Sequence, residues 1–396
     1  MRSTAIFAGR VVLGPSDQVI EQGAVLTQGS SIRAVGPASE IETLVDSDTA
    51  RFDFPHGTLV PGLVNCHVHL SFDSSPTPFS SHAELDDAAM LAMMAEHARQ
   101  LLASGVTTAR DLGDRDGLAA TLRGRIGRGE CDGPTILTAG TPLTSPGGHC
   151  GFLGGEVAGD DDIANRVRRN KSAGADLIKV MASGGALTPG GPPMWAAQFN
   201  RDQLRHIVRT AAEHQLPVAA HAHGTDTIAD CVLAGVRTIE HCSWRAERGF
   251  HYDHDLAAEI VARDIAVCRC VSGDWRRFLQ QLGPNAEALI DTIMRMREAG
   301  VRFIAGTDAG VPGATFRDYA GMLEFFIELG FTAAEVLDMA TVHPAHALDL
   351  GEVGGLRPGL RADIIVVDGD PLTDIRALHG PRLVMTRGRL FDSQPR

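Results

Sequence analysis

Thr58-Leu59-Val60-Pro61-Gly62-Leu63-Val64-Asn65-Cys66-His67-Val68-His69-Leu70 is the stretch from which the fold can be read. Its apolar run predicts a buried strand, Leu59–His69, that ends in two histidines. Residues two apart on a strand face the same side, so His67 and His69 can turn their imidazoles to one metal ion. A His-x-His pair alone is a weak signal, because two histidines on a surface strand are common. It gains weight from what the chain places at later strand ends.

Seven further apolar runs follow: Val106–Asp111, Thr135–Ala139, Leu177–Ala182, Val218–His223, Thr238–His241, Ile265–Val271 and Phe303–Asp308. Most are apolar through the middle, as parallel strands buried on both faces require. Helical patterns fall between them. Ala83–Ala103 carries a helical apolar period, Asp202–Gln215 precedes Leu216-Pro217, and Thr332-Ala333-Ala334-Glu335 reads as a capping box. Eight strands alternating with helices over roughly 300 residues predict a (β/α)8 barrel of the TIM type. An open doubly wound sheet is the alternative, but no Gly-rich dinucleotide fingerprint follows the first strand.

Both chain ends differ in texture. Ala5-Ile6-Phe7, Arg10–Leu13, Gly23–Thr27 and Ser31–Val35 are short strand candidates parted by Gly, Pro, Ser and Asp. Ala362–Asp368 and Leu383–Gly388 repeat this texture at the other end. Neither end is large enough for a core of its own. The expectation is a small composite β-sandwich from residues 1–57 and 355–396, joined to a barrel over 58–354.

Composition narrows the function classes. There are 36 lysines and arginines against 49 acidic residues, a net charge of −13. A nucleic-acid binder needs a basic face, and an anionic membrane surface repels such a chain, so neither is expected as a partner. No apolar run approaches the ~20 residues that span a bilayer. Seven scattered cysteines, none in a Cys-x-x-Cys pair, suit free thiols in a reducing cytoplasm. The oligomeric state is not legible, a homo-oligomer included.

Barrel enzymes gather their active residues at the C-terminal ends of the strands. Here those ends carry His67 and His69, then Lys179, then His221 and His223, then His241, and finally Asp308. Each has a bland explanation singly: His221 as a core histidine, Asp308 as a helix cap, Lys179 as a snorkelling side chain. Five strand ends bearing His, Lys or Asp together are hard to reach by chance. An apolar strand is a costly place for an ammonium. Reaction of the Lys179 amine with CO2 would turn it into a carbamate, an anion able to bridge two cations, which with the other ligands suits a two-metal site.

With these residues in view the chain resembles the amidohydrolase superfamily, with its split β-sandwich and metal-dependent barrel. It is most similar to the branch of bacterial Xaa-Pro dipeptidases, related carboxypeptidases and imidazolonepropionase-like amidohydrolases. The likeness rests on His67-Val68-His69, Asp176-Leu177-Ile178-Lys179-Val180, His221-Ala222-His223, Ile239-Glu240-His241 and Gly306-Thr307-Asp308-Ala309-Gly310. The resemblance implies that His67, His69 and Asp308 bind a first divalent metal, His221 and His241 a second, and a carbamylated Lys179 bridges them. It also implies that Asp308 takes the proton from a metal-bridging hydroxide as that attacks. His149, in Pro146-Gly147-Gly148-His149, and His223 then fit a role in polarising the substrate carbonyl. His223 stands where the dipeptidases usually carry tyrosine, a departure that loosens the inference about substrate. The mixed imidazole and carboxylate set favours zinc.

The expected function is hydrolysis of an amide C–N bond in a small molecule, such as a dipeptide or an N-acyl amino acid. A cyclic amidase or a one-metal deaminase of the same superfamily is the alternative. Deaminases carry His-x-x-Glu on strand five, where this chain has Gly224. A barrel that has lost catalysis and serves as a binding protein is the reading from another class, but such relatives lack ligands that are all present here. Specificity is expected in the loops Ser71–His82, Thr188–Trp195 and Trp244–His254, with Arg269 at the end of strand seven as a carboxylate partner or a solvated rim residue.

Overall fold

The computed structural model describes residues 3–392. Residues 1–2 and 393–396, at the outer ends of the expected terminal sandwich, lie outside the described residues. Four strands open the chain: β1 (Ser3–Val12), β2 (Val19–Gln28), β3 (Ser31–Pro37) and β4 (Ala50–Pro61). Eight follow: β5 (Leu63–Val68), β6 (Val106–Asp111), β7 (Thr135–Thr138), β8 (Ile178–Met181), β9 (Val218–Gly224), β10 (Thr238–Arg245), β11 (Ala266–Cys268) and β12 (Phe303–Ile304). Three close it: β13 (Ile364–Asp368), β14 (Leu383–Thr386) and β15 (Arg389–Phe391).

The two ends of the chain share one seven-stranded sheet in the order β15-β14-β13-β4-β1-β2-β3. Period-two alternation makes it work. Ile6, Val25, Ile364, Val366 and Met385 gather in one apolar cluster, while their neighbours Ala5, Phe7, Ala24 and Leu26 turn to another around Ile41. Ile365, Val367 and Val384 face a third, the main core of the molecule.

The run expected as one strand, Leu59–His69, is divided. Val60 pairs with Ile365 at the end of β4, whereas Leu63 pairs with Val106 at the start of β5. Gly62 makes the break, because a Cβ there would lie 2.2 Å from Thr107 Oγ1. The strands β5 to β12 form parallel ladders β5-β6-β7 and β12-β11-β10-β9-β8. Hydrogen bonds join the two sets into a ring. Leu143 N–H donates to Lys179 O at 2.8 Å and Met181 N–H to Leu143 O at 2.8 Å. On the other side Cys66 N–H donates to Ala305 O at 2.9 Å and Asp308 N–H to His67 O at 2.9 Å. With helices between the strands, the fold is a (β/α)8 barrel carrying a small β-domain built from both termini.

Two helical expectations are refined. Ala83–Ala103 is two helices, Pro78–Glu84 and Asp87–Ala103, because the Asp86 side chain accepts from Ala89 N–H at 2.8 Å and caps the second. The Thr332 capping box is present in both directions and opens Ala333–Met339. Among the described residues no helix is long and apolar enough to cross a membrane. All seven cysteines are free.

Candidate metal centre

The strand ends deliver two clusters of ligand atoms. In the first, His67 Nε2 and His69 Nε2 are 3.3 Å apart, and Asp308 Oδ1 lies 3.3 Å from one and 3.4 Å from the other. Asp308 reaches them because the backbone leaves strand geometry after β12 and turns left-handed at Asp308, φ 58°. Gly306 lets the chain pass: a Cβ there would meet Cys268 Sγ at 2.4 Å and His67 Cβ at 2.9 Å. In the second cluster the ring of His221 lies 4.7 Å from that of His241 and 4.6 Å from that of His223. His241 too is left-handed, φ 68°, where the β9–β10 register breaks.

Lys179, on β8, is fully buried. Its charge acts on His67, His69 and Asp308 in one and on His221 and His241 in the other. Burial pulls the amine below its ordinary pKa, against the opposing charges of Glu240, Cys270 and Asp308. Burial also drives His221 and His241 well below the usual imidazole range, His223 adding to the effect on both. Neutral imidazole is the form that ligates a metal. Burial would raise the Asp308 carboxyl, but the charges of His67 and His69 hold it below the carboxylate range.

This arrangement fits divalent ions. Asp308 Oδ1 is buried without a hydrogen-bond partner while facing two ring nitrogens. His221 Nε2 is 3.0 Å from Gly184 O and donates there, which leaves Nδ1 as a free lone pair. One set of imidazole and carboxylate donors and one of imidazoles, the first with an unpartnered carboxylate oxygen, are what cations complete.

The residues behind the ligands were not assigned from sequence. Glu240 Oε2 is 2.9 Å from His67 Nδ1 and fixes which nitrogen of His67 faces the centre. Its other oxygen accepts from Arg110 Nη2 at 2.8 Å and from Thr238 Oγ1 at 2.6 Å. Burial would raise the Glu240 carboxyl, yet the Arg110 charge and the bond to His67 hold it low. Arg110 and Glu240 interrupt apolar strands with opposite charges, and that was the available signal. Cys270, left-handed at φ 44°, brings Sγ to 3.0 Å from His67 Nδ1.

His149 and His223 complete the set of named residues. His149 is buried with its ring 4.7 Å from that of His221, and its Nδ1 has no partner. It packs on Gly185, where a Cβ would lie 2.4 Å from the ring. Burial, then the Lys179 charge, pushes it down to about 4. His223 Nδ1 is 2.5 Å from Ser243 Oγ, and its ring stacks on His241 at 4.6 Å. Burial and the charge of Arg269 push His223 down to about 3. Its ring also comes within reach of the second cluster's ligand atoms, so His223 stands closer to a metal position than its place two residues beyond His221 suggested. Arg269 is 4% exposed, not a solvated rim residue. At Gly224 a Cβ would lie 2.3 Å from Trp195 O, which leaves no room for the glutamate of a deaminase.

The chain is 27% identical to ochratoxinase of Aspergillus niger, over 98% of this chain and 86% of that protein. A solved Xaa-Pro dipeptidase with methionine bound in its active site superposes with a TM-score of 0.86 at 25% identity, covering 98% of this chain and 100% of the other. A prolidase complexed with N-methylphosphonate-L-proline gives 0.84 at 26% identity, over 99% and 100% of the two chains. The model of the amidohydrolase family matches residues 58–391, from the end of β4 through the whole barrel into the closing strands, and the chain belongs to that family.

Proposed function

We propose that this amidohydrolase is a two-zinc enzyme that hydrolyses the amide bond of a small substrate such as a dipeptide or an N-acyl amino acid. The observation that carries the reading is the fully buried Lys179, whose charge acts on both clusters of metal-type ligands. A neutral amine there can add to CO2, forming a carbamate and releasing a proton, and the resulting anion would offer two oxygens to ions held by the neighbouring clusters. His67, His69 and Asp308 would hold one ion and His221 and His241 the other. When bound, the ions make water a nucleophile near neutral pH and polarise the carbonyl.

This chain's own residues account for the remaining chemistry. Asp308, a carboxylate facing His67 and His69, accepts the proton of the attacking water and passes it to the leaving amine. His223 can receive a hydrogen bond from Ser243 at Nδ1 and so carry its proton on Nε2, ready to donate to the carbonyl oxygen. His149, kept neutral by burial, packs its ring 4.7 Å from that of His221. The ligands named for the two solved relatives, methionine and an N-methylphosphonate of proline, support an amino acid on one side of the scissile bond. The excluded glutamate at position 224 counts against deamination.

The test is metal analysis of the purified protein beside a screen of dipeptides, N-acyl amino acids and lactams. Two ions per chain and turnover of a linear amide are expected. A chain without metal that cleaves nothing would return the protein to the class of binding barrels. Lys179→Ala is expected to lose most metal and activity, with partial recovery in added acetate or propionate. An unmodified amine at Lys179 in an active two-metal protein, seen by mass of the intact site, would end the carbamate assignment.

A further inference from the structure

Arg269 follows directly on β11, and its neighbour Cys270 touches His67. The guanidinium is enclosed at 4% exposure, and its Nε has no hydrogen-bond partner. Among the described residues it forms no ion pair with a carboxylate, and the largest charges acting on it are those of Cys270, Cys242, a second arginine, Arg245, and Cys268. Arg245 ends β10, lies over the ring of Phe250 at 4.4 Å, and also has a buried Nε without a partner. Beside it Trp244 Nε1 and Tyr252 Oη are buried and unpartnered, their rings 4.9 Å apart. Both guanidinium groups thus have a buried Nε without an acceptor.

An enclosed cation without a counter-charge is unfavourable, and two that repel each other more so. Such a pair persists in a protein where a ligand supplies the anion. The planar guanidinium fork matches a carboxylate in two parallel hydrogen bonds. The place is close to the chemistry. Arg269 is the charge that acts most strongly on His223, whose ring is 4.6 Å from both His221 and His241. Arg269 also adjoins Cys270, whose Sγ is 3.0 Å from His67 Nδ1, so an anion seated on it lies near the centre rather than at the far end of a long substrate. An α-carboxylate, one carbon from the scissile nitrogen, meets that constraint.

We infer that Arg269, assisted by Arg245, anchors a free α-carboxylate of the substrate, and that the substrate is an N-acyl α-amino acid or dipeptide rather than an uncharged amide or lactam. The inference rests on the amide-hydrolase reading, and the experiment separates the two. Zinc-loaded wild type, Arg269→Met, Arg269→Lys and Arg245→Met are assayed on N-acetyl-L-amino acids and dipeptides, each paired with its C-terminal carboxamide. Binding of the free L-amino acids and of their carboxamides is measured by calorimetry on the same proteins. Wild type is expected to favour the free acids by about 10²-fold or more in kcat/KM, the scale of removing one partner of an enclosed charge pair. Arg269→Met should lose that preference through KM with its zinc content unchanged, Arg269→Lys should keep part of it, and Arg245→Met should weaken it. Wild type that treats or binds acids and carboxamides alike, or that binds neither, overturns the inference, as does an Arg269→Met variant whose preference is intact. Wild type that binds amino acids through Arg269 yet cleaves no amide leaves the anchor standing and removes the amide-hydrolase reading instead.

Discussion

Ser243 Oγ, 2.5 Å from His223 Nδ1, decides between two roles for that histidine. With Nδ1 accepting from the Ser243 hydroxyl, the ring carries its proton on Nε2 and offers an ion no lone pair, and His223 is more open than His221, so it is assigned to the substrate oxygen rather than to an ion. His223→Ala should then cost ~2.7–4 kcal/mol in transition-state stabilisation, ~10²–10³ in rate, with both metals retained. His221→Ala should lose metal. Metal analysis beside kinetics checks both, and the reverse pattern would exchange the two assignments. Glu240 is a positioning residue of a different kind. Glu240→Gln would loosen the orientation of His67 and leave Arg110 enclosed without its counter-charge. Metal affinity is expected to fall about 10–100-fold, and the fold to lose ~3–5 kcal/mol, the range for breaking a buried pair. Chelator titration and denaturant unfolding read the two effects separately, and an unchanged metal affinity would remove Glu240 from the centre. The ligand types were legible in the sequence, since His, Lys and Asp at apolar strand ends have few other uses. The Arg110–Glu240 pair was not, because it joins β6 to β10 and only the closed barrel makes them neighbours.

At the scale of elements, strand existence was legible and strand ends were not. Runs such as Val106–Asp111 match β6 in full, whereas Ile265–Val271 shrinks to Ala266–Cys268 and Phe303–Asp308 to Phe303–Ile304. The cause is local. Cys270, Asp308 and His241 leave extended geometry for positive φ, which costs about 1–3 kcal/mol each for a non-glycine residue and clusters where side chains must be aimed. An apolar pattern reports burial, not the turn that follows it. Glycines carry the complementary burden of close approach. Gly185 is the floor under His149, and the methyl of Gly185→Ala would sit 2.4 Å from the ring. Moving the ring by about that overlap should reduce turnover on the order of 10²-fold, while metal content and melting temperature stay near wild type. Normal turnover in Gly185→Ala would show that His149 takes no part in the reaction.

At the scale of the whole molecule, β4 was the unforeseen element. It pairs with β1 and β13 in the terminal sheet, and one residue, Gly62, separates it from β5 in the barrel. The apolar clusters follow the same economy: Val60, Ile365, Val367 and Val384 of the terminal sheet belong to one cluster with Leu63, Leu102 and Val106 of the barrel. Arg361 Nη2 adds a polar tie, donating to Thr108 Oγ1 at 2.7 Å. Two bodies that share a core should unfold together. All three tryptophans, Trp195, Trp244 and Trp275, lie in the barrel, so fluorescence follows the barrel alone while far-UV circular dichroism follows every strand and helix. The two signals are expected to change at one denaturant concentration. Ile365→Ala removes a fully buried side chain from the terminal sheet and should cost ~2–5 kcal/mol. If the core is shared, that substitution moves the fluorescence midpoint as far as the dichroism midpoint, although no tryptophan is near β13 in sequence. A fluorescence transition that stays in place while the dichroism curve splits in two would mean that the barrel folds without its terminal sheet.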